Sequence, residues 1–436
     1  MIVQPATGTA EQAVLRRRAF TAASLGWLLD GFENYAIVLV AAPLVADLVG
    51  KNVSQLYVAG LLASTLVAWA IGGLLAGVVA DYLGRKRTLV LAILWYSVFT
   101  GLSALAPNYG VFIVLRFLTG IGMGAEWGTG TTLLSEYLAP RTRGRGLAFL
   151  AGCFGVGFLV ATGVWLVIDA AGGSWRWMFV IGILPALLTL YVRRRVAEPQ
   201  MWEESRQARR DARARQRQGE TLDGRDLALT KLTFLHVFTD ARFRGQTVKL
   251  LLLAASCLIG WWAVSTRVPA FAGVVGAHLP NVEGYSNLAA LCYNIGGVLG
   301  YFAMGFVADA IGRKPTIFGY FLGSLVVTFV FFLAVHGTGL LLVFAAVNGF
   351  FTLGLMGWMG IYPTEVYPTY LRATAITVIF NTTRFLVAAA TLFAGYLIDV
   401  FGSVSAMAVT MGCVYIVGIA LSLKAGPETK NRPLPQ

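Results

Sequence analysis

The stretch GVVADYLGRKR, Gly77 to Arg87, returns as GFVADAIGRKP from Gly305 to Pro315. Gly77, Asp81, Gly84 and Arg85 keep the same spacing as Gly305, Asp309, Gly312 and Arg313. Each copy is a short charged turn between two long apolar runs. A carboxylate with several cations cannot rest in hydrocarbon, so each turn must lie at a membrane surface. A second echo follows each copy. Glu136 precedes Arg143 by seven residues with Pro140 between them, and Glu365 precedes Arg372 by seven with Pro368 between. Asp309 follows Asp81 by 228 residues and Glu365 follows Glu136 by 229, so the chain reads as a duplicated membrane unit.

Composition agrees. Of the residues, 57% are hydrophobic and 13% charged, with a mean hydropathy of +0.71, far from an ordinary soluble domain. Runs long enough to span a bilayer, about 20 residues each, begin at roughly 20–47 and end at roughly 404–423. Twelve are expected, in two sets of six: an N-terminal bundle within 1–192 and a C-terminal bundle with a tail over 248–436. The polar segment 193–247 joins them. Its EPQMWEESRQARRDARARQRQ stretch predicts a helix or two on a solvated linker, basic enough to meet anionic lipid heads.

The net charge of +13 does not point to nucleic acid, because of where the cations lie. With both termini on one side, that side holds 29 of the 34 lysines and arginines; the opposite side has only Lys51 and Arg176. The positive-inside rule then puts both termini in the cytoplasm. The four cysteines, Cys153, Cys257, Cys292 and Cys413, fall in spans and predict neither a disulfide nor a metal site. No signal peptide and no nucleotide-binding loop are evident.

Five charged residues are expected deep in the spans, lining a water-filled cavity between the repeats: Asp30, Glu33, Arg116, Glu126 and Arg384. Asp30 and Glu33 lie three apart and share a helix face. Two carboxylates that close, poorly hydrated, can load and release a proton, with Arg116 as counter-charge. The other reading has them capping a broken helix. Glu126, ten residues beyond Arg116, is either a second proton site or a polar contact to substrate. Arg384 has no acid near it in sequence, and an arginine so placed calls for an anionic ligand, which it can hold by two parallel bonds, or for one of the first-half acids. Asn381, Tyr293 and Asn294 are candidates for further hydrogen bonds, and Tyr35 and Trp127 for shaping the pocket. Arg267, nearer the rim, either attracts anions or snorkels.

The doubled GxxxDxxGR turn, the Arg116-x-x-x-Gly120-x-Gly122 pattern and PTEVYPTYLRA (Pro363 to Ala373) resemble the major facilitator superfamily over nearly the whole chain. The resemblance implies an all-α polytopic membrane protein with twelve transmembrane helices in two six-helix bundles. It also implies that Asp81, Arg85, Glu136, Arg143, Asp309, Arg313, Glu365 and Arg372 form a cytoplasmic gate, and that Glu33 and Arg116 form a coupling pair. DGFE at Asp30 to Glu33, GAEWG at Gly124 to Gly128 and Arg384 look most like the aromatic-acid and sialate/lactate-type acid:proton symporters. The expected function is therefore proton-coupled import of a small organic anion (monocarboxylate, aromatic acid or sugar acid) by a monomer in the plasma or bacterial inner membrane. Protons serve as coupling ion, and no other cofactor is expected. A sugar or polyol symporter is the alternative, opposed by Arg384. A drug/proton antiporter is opposed by the missing Gly-Pro signature of its fifth span, and a transporter-like sensor by the lack of a large signalling domain.

Overall fold

A computed structural model describes residues 10–50, 55–222, 224–424 and 426–435; Lys51 lies outside them. The first half runs through α1 (Ala10–Val49), α2 (Gln55–Leu83), α3 (Arg85–Ser103) and α4 (Tyr109–Tyr137). It continues with α5 (Arg143–Ala170), α6 (Arg176–Ile181) and α7 (Pro185–Arg195). Between the halves lie α8 (Gln200–Arg217), α9 (Gly224–Thr230) and α10 (Thr233–Thr239). The second half holds α11 (Ala241–Ile259), α12 (Val268–Val275), α13 (Val282–Ile311), α14 (Arg313–Ala334) and α15 (Thr338–Thr352). After these come α16 (Trp358–Val366), α17 (Arg372–Phe401), α18 (Val404–Gly412) and α19 (Val414–Ser422).

Among the described residues, nine helical segments are long and apolar enough to cross a membrane. A tenth is α1, bent by 61° beside Pro43, whose ring removes one helical hydrogen bond. The two remaining expected spans fall short for visible reasons. Helix α3 opens on Arg85, Lys86 and Arg87, and the run 176–192 is divided between α6 and α7 by a turn before Pro185.

The duplication reaches into the packing. A Cβ on Gly72 of α2 would meet the Ile121 carbonyl of α4, and one on Gly300 of α13 would meet the Phe350 carbonyl of α15. Gly120 lies against the Thr65 carbonyl, and Gly349 against that of Tyr293. Both pairs of crossings recur at the offset of the charged turns, so each half closes two helices on one another at bare backbone. The motif glycines have their own reason. Gly84 and Gly312 sit between consecutive helices at φ 117° and 111°, where a side chain would be strained.

The linker is a correction to the sequence reading. Helix α8 is docked along one side: Trp202, Arg209 and Ala212 form a buried stripe at helical spacing, while Glu203, Gln207, Arg210 and Arg213 remain exposed. The Trp202 indole donates to the Asp81 carbonyl at 3.2 Å. Arg209 donates to the same carbonyl at 2.9 Å and to that of Tyr370 at 2.8 Å, joining the two halves from below. Helix α11 already begins at Ala241, inside the stretch read as linker.

Candidate functional site

The duplicated turns meet at one face of the molecule. Asp81 forms an ion pair with Arg85 at 3.2 Å, and its other oxygen accepts from the Thr374 backbone at 3.0 Å and hydroxyl at 2.6 Å. It thereby caps the start of α17, in the other half. Asp309 does the same in reverse. It pairs with Arg313 at 3.0 Å and accepts from the backbone N–H of Gly144 and Arg145 at the start of α5. A carboxylate at a helix N-terminus satisfies orphan donors and faces the positive end of the dipole. Glu136 joins Arg85 (3.3 Å) to Arg372 (2.8 Å), and Glu365 joins Arg313 (2.8 Å) to Arg143 (3.3 Å). All eight residues expected at the gate are thus brought together, and six of the bonds just named pass from one half to the other.

Two carboxylates beside this network went unnoticed in the sequence. Glu198 accepts from the backbone N–H of Lys86 and Arg87 at the start of α3, and Glu428 from those of Arg313 and Lys314 at the start of α14. They stand 230 residues apart, but the signal is disguised because proline follows one glutamate and precedes the other. Their surroundings differ. Burial pushes the Glu198 carboxyl above its usual range despite these bonds. At Glu428 burial acts the same way, but bonds from four backbone N–H groups prevail and hold it below.

At the centre of the first half, Glu33 and Arg116 approach to 3.6 Å, a contact that a residue count along the helices would not have given. Glu33 also accepts from the Thr100 hydroxyl at 3.0 Å, and the Arg116 guanidinium lies 5.2 Å from the centre of the Phe179 ring. Asp30 is in the fields of Glu126, Arg384 and Glu33. Asp30, Glu33, Arg116 and Glu126 are all buried; both oxygens of Asp30 lack a hydrogen-bond partner, and the Glu126 carboxylate faces the Tyr96 hydroxyl.

A cavity of about 400 Å³ lies between the halves. Its wall is largely aromatic, and Arg384 is the one charged side chain in it among the described residues. The guanidinium stacks 3.7 Å from the Trp69 ring of α2 and 4.7 Å from the Phe380 ring of α17, so it is held by rings of both halves. Tyr35, Trp127, Tyr293 and Asn294 line the cavity as expected. Others do not. Asp30, Glu33, Arg116 and Glu126 are buried and are not in the wall, whereas Trp27, Trp69 and Trp127, whose rings pack at 4.6–6.5 Å, are. Glu126 and Trp127 are neighbours about 100° apart on α4, so one meets Gly26 of α1 while the other meets the cavity. Asn381 is also turned away: its amide donates to the Thr377 carbonyl of its own helix, and its side chain packs on Gly73. Arg267 closes a short 3₁₀ turn and is not in the wall.

Sequence reasoning missed how the seventh expected span is built. It is interrupted by a π-turn (Gly260–Val264) and a 3₁₀ turn (Ser265–Arg267), placing Trp261, Trp262 and Ser265 in the wall. Such irregular backbone inside a bundle is tolerated where it borders a cavity.

A membrane fold doubled about a central cavity, with paired charged turns at one face, is that of a secondary transporter. The chain matches the Major Facilitator Superfamily over residues 23–291 and 281–436, and it belongs to that family. It is 30% identical to the sialic acid transporter NanX of Escherichia coli (strain K12), over 84% of this chain and 83% of that one. It is also 30% identical to the cis,cis-muconate transport protein of Acinetobacter baylyi (strain ATCC 33305 / BD413 / ADP1), over 92% and 91%. The proton:xylose symporter XylE shares its fold, with a TM-score of 0.76 and 21% identity over 97% of this chain and 98% of that chain. The protein is a multi-pass transporter of the cell membrane, not an enzyme, and its relatives carry organic acids.

Proposed function

We propose that this transporter imports a small organic anion together with protons by alternating access, and that an aromatic or conjugated acid suits it best. The observation that carries the reading is Arg384: a lone cation in an aromatic wall, its guanidinium stacked on Trp69 and Phe380. A planar anion can be held there by paired hydrogen bonds at one end and by ring contacts over the rest. The relatives that carry sialic acid and cis,cis-muconate support the anion class. A sugar would place hydroxyls against rings and leave the guanidinium without an anion, so the sugar reading is the weaker one.

Protons are assigned to the buried acids that are not in the wall. Asp30 lies in the field of Arg384, and Glu33 in that of Arg116, so the charge on either acid depends on where its arginine stands. An anion bound at Arg384 competes with Asp30 for the guanidinium, and protonation of Asp30 relieves the contest. We count twelve spans by including α3 and the α6–α7 pair, place both termini and the charged turns in the cytoplasm, and take the monomer as the working unit. The joined charges then form the cytoplasmic gate, and the cavity serves the opposite side.

Ligand binding to purified protein, read by tryptophan fluorescence, tests the anion assignment. Benzoate is expected to bind, and Arg384→Ala to weaken it by roughly tenfold or more, about 1.4 kcal/mol. A neutral sugar that binds better than benzoate, unaffected by that change, would refute it.

A further inference from the structure

Trp69 does more than support Arg384. Its indole lies flat beneath the guanidinium at 3.7 Å, it lines the cavity, and it is 3% exposed. Its Nε1 is buried and meets no acceptor in the protein. A buried indole N–H is a donor only, and one left unpaired is costly, so native structures satisfy such groups or keep them for a ligand. The Nε of Arg384 is in the same condition. This end of the cavity therefore offers more donors than one carboxylate beside the guanidinium engages. Among the described residues, no carboxylate of the protein lines the wall to take them up.

Resting on the reading that the cavity takes an organic anion, we propose that Trp69 is a specificity-determining residue. Its indole N–H reads a second acceptor oxygen placed next to the ligand's carboxylate. With its ring centre 3.7 Å from the guanidinium carbon, the indole sits at the same end of the cavity as a carboxylate held by Arg384. The acceptor it reaches is thus on the neighbouring atom of the ligand: a 2-oxo group, an ortho oxygen or an adjacent second carboxylate. An oxygen across a ring is out of its range. The preferred class is an aromatic or conjugated acid oxygenated beside its carboxylate.

Phenylglyoxylate and phenylacetate share a skeleton and differ by a 2-oxo group. Their dissociation constants for the purified protein, and for Trp69→Phe, test the proposal. Phenylalanine keeps a ring under Arg384 and removes only the donor. The wild type is expected to prefer phenylglyoxylate by about tenfold, the effect of one hydrogen bond to a buried donor. Trp69→Phe should bring the ratio near one, whatever the change in absolute affinity. Since the readout is a ratio within one protein, a general loss of stability does not produce it. Equal affinities in the wild type, or a preference that survives in Trp69→Phe, would overturn the proposal. Phenylacetate binding that is lost in Arg384→Ala would still leave the anion reading standing in that case. Failure of both acids to bind the wild type would refute the anion reading itself.

Discussion

The molecule keeps two sets of buried charges, and they are satisfied very differently. At the face of the duplicated turns every one of the eight acids and arginines has a partner, most at 2.6–3.3 Å and several with backbone groups besides. At the centre of the first half, both oxygens of Asp30 are unpaired, Glu126 meets no cation among the described residues, and the Glu33–Arg116 contact is loose at 3.6 Å. Buried charges are costly unless paired, so the first set is satisfied where it stands and the second carries a cost that a proton or a ligand would relieve.

The largest effect expected is at the joined set. Glu136→Ala leaves Arg85 and Arg372 buried without their shared acid, and the loss should be about 3–5 kcal/mol. Denaturation of the detergent-purified protein would show a lower midpoint, and an unchanged midpoint would erase the contrast. Asp30→Asn removes a charge with no hydrogen-bond partner. Its stability should stay within about 1 kcal/mol of the parent, or rise, while uphill uptake falls by roughly tenfold or more, about 1.4 kcal/mol of coupling. Glu33→Gln should likewise abolish accumulation and spare exchange of labelled substrate at equilibrium. Loss of both activities would remove Glu33 from the coupling role.

The smallest effects sharpen the comparison within the gate. Glu198→Gln and Glu428→Gln each weaken a helix cap, by about 1 kcal/mol. Their pH dependence should run in opposite directions. Glu428 is held below its ordinary value, so its contribution is full above the unfolded value near 4.3 and is lost as pH falls through the folded one. Glu198 is pushed above, so folding favours its protonated form, and its contribution grows as pH falls. Stability differences between each variant and its parent, measured from about pH 7 to pH 4, would separate the two. Parallel curves would mean that the two caps are equivalent.

The fold was legible because its signals are local or repeated. A charged turn between apolar runs is visible as it stands, and the offset of 228–229 residues gives the doubling. The eight charges that the family resemblance implied as a gate lie in the same repeat, and the structure joins them. The site was legible only in part, since a cavity is made by side chains that sequence does not bring together. Arg384, Tyr35, Trp127, Tyr293 and Asn294 were found as polar or aromatic residues within spans, and the structure sets them in one wall. The same reasoning included Asn381, which spends its amide on its own helix, and missed Trp69, which looks like any apolar-span residue until Arg384 is seen lying on it. It also put the acids in the cavity, whereas none of them lines its wall. Along a helix, one residue's step decides whether a side chain meets the cavity or a neighbouring helix.

Proton movement is the claim on which the account turns. Purified protein in liposomes, with a pH-sensitive dye outside and no imposed gradient, can be given an aromatic acid at a pH where the acid is fully ionised. Uptake is expected to make the outside more alkaline than in protein-free liposomes, and Glu33→Gln to abolish the change while binding persists. Uptake of the labelled acid without any change in outside pH would contradict that claim.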